Sequence, residues 1–264
     1  LLKSMVEIGC RPLAYVDIRK KENIEKDTLN FLSKHSIKTY INSEIEGCDG
    51  NNKVKWAYIR DSVKNIIKIK TSMVCVSGGI NPDVHLFTQS KGLIKWDKDY
   101  LTFKPDTPFQ KTITLGSASG NFNYKNLIKE INDKLNFLST KELENQIENI
   151  GSENLNISEL WEVKHERNSL WSKSFIDLQN DVTTKDLEQA VIEGFDRIEH
   201  LKRYTTNSMG TDQGKISSIN SLAIVARILK RNISEVGTTI YRPPYAPLSF
   251  SAIAGRNTYE FYDP

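Results

Sequence analysis

Residues 174–215 carry enough helix punctuation to fix a fold class on their own. A short extended run, 175–179, leads to Thr183, whose hydroxyl suits an N-cap. Asp186 follows three residues later and sits where the helix N-terminus favours an acid. Leu187, Ala190 and Val191 supply an apolar stripe at helical spacing, and Gly194 is placed to end the helix in a left-handed conformation. A second short helix carries Ile198 and Leu201 inward and leaves Lys202 and Arg203 at its C-terminal end. A polar loop, 204–214, precedes a third helix over 216–229, with Ile216, Ile219, Leu222, Ala223, Ala226 and Leu229 on one face. Arg227, Lys230 and Arg231 complement its negative end. The pattern predicts a small all-α domain over 174–235. Two helices beside Lys202-Arg203 do not make a DNA-reading unit, because few basic residues line the second one.

The same stretch resembles the small helical [2Fe–2S] domain of bacterioferritin-associated ferredoxin and of many amino-acid and opine dehydrogenase subunits. Val182-Thr183, Leu201-Lys202-Arg203, Thr205, Met209-Gly210 and Gln213-Gly214 carry that frame. The four positions of its cysteines hold Asp177, Gln179, Asp212 and Ser217 here. A cluster takes four thiolates, so the frame implies four residues that converge in space and bind no metal. With the run from Ser217 to Arg256 added, this cysteine-free version resembles the alpha subunits of heterotetrameric sarcosine oxidases.

Composition excludes little. The chain has 264 residues, 38% hydrophobic and 26% charged, with a net charge of +3, so it can bury one large core or two small ones and calls for no nucleic-acid partner. Cys10, Cys48 and Cys75 are odd in number and lack metal-ligand spacing, which reads as reduced, partly buried thiols of a cytoplasmic protein. No apolar run approaches the ~18 residues of a membrane span. The chain begins in a helical pattern without Met, as expected of a piece of a longer protein.

Before residue 174 the reading is α/β. Helical spacing over 1–9 and an apolar strand over 13–18 resemble the second half of a Rossmann unit, with Asp17 at the strand's carboxyl end. Asp17 is either a ribose contact or a solvated strand end. A helix over 25–35, a strand over 37–41, a turn at 48–53 and a hairpin from 54–59 and 66–69 follow. Residues 73–76 read as an apolar strand entering Ser77-Gly78-Gly79, and the run from Ser77 to Ser90 resembles the family's returning strand. His85 reads as a packed or capped histidine. A strand over 112–115 is expected to feed Gly116, Ser117, Ala118, Ser119 and Gly120, a loop able to cradle a pyrophosphate or simply a tight turn. Residues 125–150 read as polar helix, and 151–172 as linker with Trp161 and Trp171 as anchors. Beyond Gly237, Pro243, Pro244 and Pro247 impose a stiff extended connector.

Four segments are therefore expected: a partial dinucleotide-binding domain of the two-dinucleotide flavoprotein kind (1–125), a helical linker (126–173), the cysteine-free ferredoxin-like domain (174–235), and a connector opening an aminomethyltransferase-like folate domain (236–264). The resemblance implies oxidative demethylation of sarcosine, with beta, gamma and delta subunits as partners. It places NAD in the alpha subunit, with Asp17, Gly116, Ser117, Ala118 and Gly120 as its contacts. FMN lies between alpha and beta subunits, FAD belongs to the beta subunit, and tetrahydrofolate binds elsewhere in the complex. Lys202, Arg203, Thr205 and Lys215 are assigned to the FMN phosphate, against the alternative of a solvated basic face. No residue of this chain is expected to oxidise substrate, and the isolated chain is expected to be inactive. Two other readings remain: a subunit acting on proline, an opine or dimethylglycine, and a non-catalytic assembly module.

Overall fold

A computed structural model describes residues 2–135, 156–163, 173–210, 212–243, 246, 248–249 and 252–253. The chain divides into two units, Leu1–Ile80 with Leu155–Ser172, and Asn81–Asn154 with Lys173–Pro264.

In the first unit, α1 (Leu2–Glu7) precedes β1 (Ala14–Asp17), α2 (Lys26–Lys34) and β2 (Lys38–Ile41). β1 and β2 pair in parallel, with Ala14 opposite Lys38 and Asp17 opposite Ile41, so α2 is the crossover that parallel pairing demands. Leu32 of α2 is buried. A three-stranded antiparallel sheet follows, in the order β3 (Glu44–Asp49), β4 (Trp56–Arg60), β5 (Ile66–Lys70). β4 buries Ala57 and Ile59 at alternate positions, as expected of a strand with one covered face.

The second unit opens with α3 (His85–Gln89) and the antiparallel pair β6 (Leu93–Asp97) and β7 (Thr102–Thr107). A 3-10 turn (Gly116–Ser119) and α4 (Tyr124–Leu135) come next. The helical part contains a small antiparallel pair, β8 (Phe175–Asp177) with β9 (Val182–Thr183). Four helices complete it: α5 (Thr184–Ile192), α6 (Ile198–Thr205), α7 (Ser218–Leu229) and α8 (Ile233–Val236). Thr183 caps α5 in a capping box with Asp186, and Gly194 follows at φ +96° with Phe195 N–H donating to the Ala190 carbonyl. Leu187 of α5, Leu201 of α6 and Val225 of α7 are wholly buried and form the centre of this part. Burying three such side chains contributes about 1.5–3 kcal/mol each.

Several expectations fail for physical reasons. Residues 73–79 form no strand, and Met73 and Val76 lie exposed; no neighbouring strand offers them a ladder. Residues 112–115 are also irregular, so the glycine loop follows a coil and not a strand end. The expected single domain over 1–125 breaks between Ile80 and Asn81, which puts Val74 and Ile113 in different units. Nor does the helical part stand alone. The connector after α8 packs back, stacking Tyr241 on the His85 ring at 3.5 Å between centroids. Arg242 N–H donates to Gln213 Oε1 and Gln213 Nε2 donates to the Arg242 carbonyl, each at 2.7 Å. The connector thereby joins α3 to the loop before α7. Ile216 is exposed and precedes α7, which buries Leu222, Ala223 and Ala226 of the expected face, leaves Ile219 and Leu229 half-buried, and buries Ile224 and Val225 besides, so that it sits centrally. Cys10, Cys48 and Cys75 are all exposed, not partly buried. Trp161 joins the first unit; Trp171 and most of the expected linker lie outside the described residues.

Candidate functional site

The four positions where cysteines stand in the ferredoxin-like frame are linked by hydrogen bonds. Asp177, at the end of β8, is almost fully buried. Its Oδ1 accepts from the Gln179 and Asn180 amides at 2.9 and 3.1 Å, and its Oδ2 from Asn180 Nδ2 at 3.1 Å and Ser208 N–H at 2.7 Å. Ser208 Oγ lies 3.0 Å from Ser217 Oγ, and Gln179 Oε1 accepts from the Asp212 amide at 3.4 Å. Asn207 and Ser221 extend this network: Asn207 Nδ2 donates to Ser208 Oγ, and Ser221 Oγ to Asn207 Oδ1. Asp177, Asn207, Ser208, Ser217 and Ser221 are all buried. Gly214 is required here: it lies at φ +75°, and a Cβ on it would fall 2.5 Å from the Ser208 Cβ.

Burial raises the Asp177 carboxyl pKa, but the Asn180 side chain and the Ser208, Asn180 and Gln179 amides outweigh it, leaving the pKa below its ordinary value of 3.8. Thiolates are replaced by hydrogen-bonding oxygen groups that saturate one another, and such a set does not fit an iron–sulfur cluster. Among the described residues, no group of three or more His, Cys, Asp or Glu is arranged to hold a metal ion. Asn207, Ser208 and Ser221 were not singled out in the sequence. The available signal was the set of serines at 217, 218 and 221 inside an otherwise apolar helix.

The proposed phosphate group is brought together in part. Lys202 is half-buried, and desolvation pushes its pKa down; Glu199 opposes this, while Arg242 and Arg203 add to it. Arg242, unforeseen in the sequence, is thus close enough to Lys202 to oppose its charge, as Arg203 does. Arg203 lies 3.6 Å from Glu199, one helical turn away. The Thr205 hydroxyl donates to the Leu201 carbonyl at 2.8 Å, so its proton is committed to its own helix. Lys215 lines a cavity of about 50 Å³ beside His85 and Tyr241. His85 is packed and capped as expected: its Nδ1 is 2.7 Å from Asp83 Oδ1, and burial, against the Asp83 contribution, lowers its pKa.

The Gly116–Ser119 turn does collect anion donors, but a side chain of the same unit occupies them. The Glu130 carboxylate accepts from Gly116 N–H at 3.3 Å, Ser119 Oγ at 3.0 Å and Asn121 Nδ2 at 3.3 Å. Lys134 Nζ adds a contact at 2.9 Å. Gly120, at φ +84°, faces the Lys104 side chain, which a Cβ there would meet at 2.4 Å. A pyrophosphate at this turn has to displace Glu130.

Asp17 ends β1 with both oxygens engaged. Arg19 N–H and Nε donate to Oδ1 at 2.8 and 3.0 Å, Arg19 Nη2 to Oδ2 at 2.8 Å, and Tyr15 OH to Oδ2 at 2.6 Å. Burial raises the Asp17 pKa, yet Arg19 and Tyr15 bring it below its ordinary value. Burial and the same carboxylate push Tyr15 up to about 12. A ribose hydroxyl meets Asp17 only by displacing one of these donors.

Comparisons with known proteins agree with the frame read from the sequence. Residues 171–256 match the sarcosine oxidase A3 domain. Sarcosine oxidase subunit alpha of Corynebacterium sp. (strain P-1) is 29% identical over 205 residues, which is 75% of this chain and 21% of that one. The subunit alpha of Rhizobium meliloti (strain 1021) is 30% identical over 207 residues, 74% of this chain and 20% of that one. The chain thus spans about a fifth of the length of these relatives. L-proline dehydrogenase from P. horikoshii shares the fold, with a TM-score of 0.64 at 18% identity over 96% of this chain and 52% of that one. Among the described residues, no helix is long and apolar enough to cross a membrane.

Proposed function

Because residues 171–256 form a sarcosine oxidase A3 domain, we propose that this chain is part of the alpha subunit of a flavin-dependent complex that oxidises a secondary amine. The reaction assigned to the complex is oxidative demethylation of sarcosine to glycine. Dioxygen is reduced to peroxide, and the methyl carbon passes to tetrahydrofolate. The amine-oxidising FAD is assigned to a beta subunit and the folate site to a further domain, so this chain contributes cofactor holding and subunit docking in a cytoplasmic complex with beta, gamma and delta partners.

The observation that carries the reading is the A3-like frame with its thiol-free interior: Asp177 and Ser217 stand in buried hydrogen bonds at positions where the ferredoxin-like frame carries cysteines. FMN is assigned to the boundary with the beta subunit, its phosphate held by Lys202 and Arg203, with Arg242 added and Thr205 removed as a hydroxyl donor. Three cations satisfy a phosphate monoester by charge and by several N–H donors. NAD is assigned to the β1–α2–β2 unit, where a parallel pair joined by a crossover helix and a polar carboxyl edge suit a nucleotide. The Gly116–Gly120 turn is the weaker place for it, since Glu130 holds the donors.

The test is turnover of the complete co-expressed complex with sarcosine, proline and dimethylglycine. This reading expects sarcosine to give the highest kcat/KM. Preference for proline supports the second reading, a sister dehydrogenase subunit, which the shared fold with a proline dehydrogenase also favours. Absence of turnover with all three, in a complex free of flavin, leaves an assembly module.

A further inference from the structure

A cleft of about 650 Å³ opens in the first unit at the carboxyl end of the β1–β2 pair, with Ile18, Asn42 and Ser43 on the strand side. Ligands of open α/β sheets enter at that edge. Part of its lining comes from far along the chain: Ser158, Glu159 and Leu160 border the same space. One side chain reaches across to this segment. Arg19 Nη1 donates to the Asn156 carbonyl at 3.0 Å, across 137 residues of sequence.

We propose that residues 156–163 are a wall of a nucleotide-binding cleft, and that Arg19 is the positioning residue that holds this wall in place. The inference rests on the dinucleotide reading above. Arg19 suits the task because its other N–H groups are fixed. Nε and Nη2 grip Asp17, and Tyr15 OH holds Asp17 in turn at 2.6 Å. A planar guanidinium clamped along one edge points its remaining donor in one direction. Asp17 thereby orients Arg19 and does not itself face the ligand, which reverses the role its position at a strand end implies. The chemistry of the lining sets the ligand class. Asn42 and Glu159 offer acceptors for ribose hydroxyls, and Lys64 offers a cation for a phosphate. A molecule carrying both is a nucleotide.

Calorimetric titration with NAD and hydrogen exchange read by mass spectrometry, both on the whole chain, separate the parts of this inference. Arg19→Ala is expected to speed amide exchange in 156–163 and to weaken NAD about tenfold, the effect of one lost charged hydrogen bond. The double variant Glu159→Ala, Leu160→Ala leaves the Arg19–Asn156 bond in place but strips the wall, and is expected to weaken NAD as well. Should Arg19→Ala fail to fold, Arg19→Lys keeps the charge, loses the fork and carries the same expectation. Unchanged exchange in 156–163 overturns the role of Arg19, and unchanged NAD affinity in either variant overturns the wall. Failure of the wild-type chain to bind NAD at about 1 mM, a negligible affinity, overturns the dinucleotide reading itself and this inference with it.

Discussion

Two aspartates, each the last residue of a short strand, settle their charge in different ways: Asp17 is half-buried and Asp177 almost fully buried. Asp17 of β1 is gripped chiefly by side chains, a guanidinium and a phenol, with one main-chain amide, that of Arg19. Asp177 of β8 accepts from three main-chain amides and the Asn180 side chain. A carboxylate held by side chains leaves an adjustable edge, while one held by the main chain fixes the shape of a loop. In the helical part, main-chain amides close on Asp177 at a position where the ferredoxin-like frame carries a thiol.

The sharpest way to break this contrast is Asp177→Ala. It leaves the buried Ser208 amide and its neighbours without an acceptor, and is expected to cost about 3 kcal/mol in a urea titration, since each orphaned buried donor costs about 1–3 kcal/mol. A loss under about 1 kcal/mol makes the network incidental. Asp177→Asn keeps some of the bonds and is expected to lose less, while blunting the acid limb of the stability profile. The sign follows from the depressed pKa of both aspartates. A carboxylate that ionises more readily when folded stabilises the fold at neutral pH. That contribution fades as pH falls from the unfolded value near 3.8 through the lower folded value. An unchanged acid limb in Asp177→Asn contradicts the assignment.

Thr183→Ala separates the network from the helix beside it. Loss of the capping box at the start of α5 is expected to cost about 1 kcal/mol, measured by thermal denaturation, with no change in the pH profile. Arg19→Ala is expected to have the smallest effect on stability, below about 1 kcal/mol, because a partly exposed ion pair is screened by solvent. If it destabilises as much as Asp177→Ala, the two carboxylates are not different in kind.

The parts of this arrangement that local chemistry dictates were legible in the sequence. Thr183, Asp186 and Gly194 bound α5 where the punctuation placed them, and Leu187 and Leu201 point inward as their spacing requires. The β1–α2–β2 unit was legible for the same reason. Residues 73–76 misled because an apolar run reads as a strand whether or not a partner strand exists. β3 and the β6–β7 pair were overlooked, although Leu93, Ile94 and Trp96 before an Asp-rich turn were a fair hairpin signal. The remaining misses depend on distance along the chain. Glu130 sits in a helix that reads as solvated, and nothing local marks it as the carboxylate that fills the Gly116 turn. Arg242 lies in a proline-rich connector, forty residues from Lys202, and the Gln213 pairing and the Tyr241–His85 contact reveal that the connector folds back.

The claim on which the rest depends is that the helical part, without metal, grips a flavin phosphate through its cations and so serves an amine-oxidising complex. Flavin extracted from the purified complete complex and resolved by chromatography tests this most directly, with wild type set beside the double variant Lys202→Ala, Arg203→Ala. The account predicts that the variant loses FMN and retains FAD at wild-type occupancy. Full FMN occupancy in the variant would contradict it.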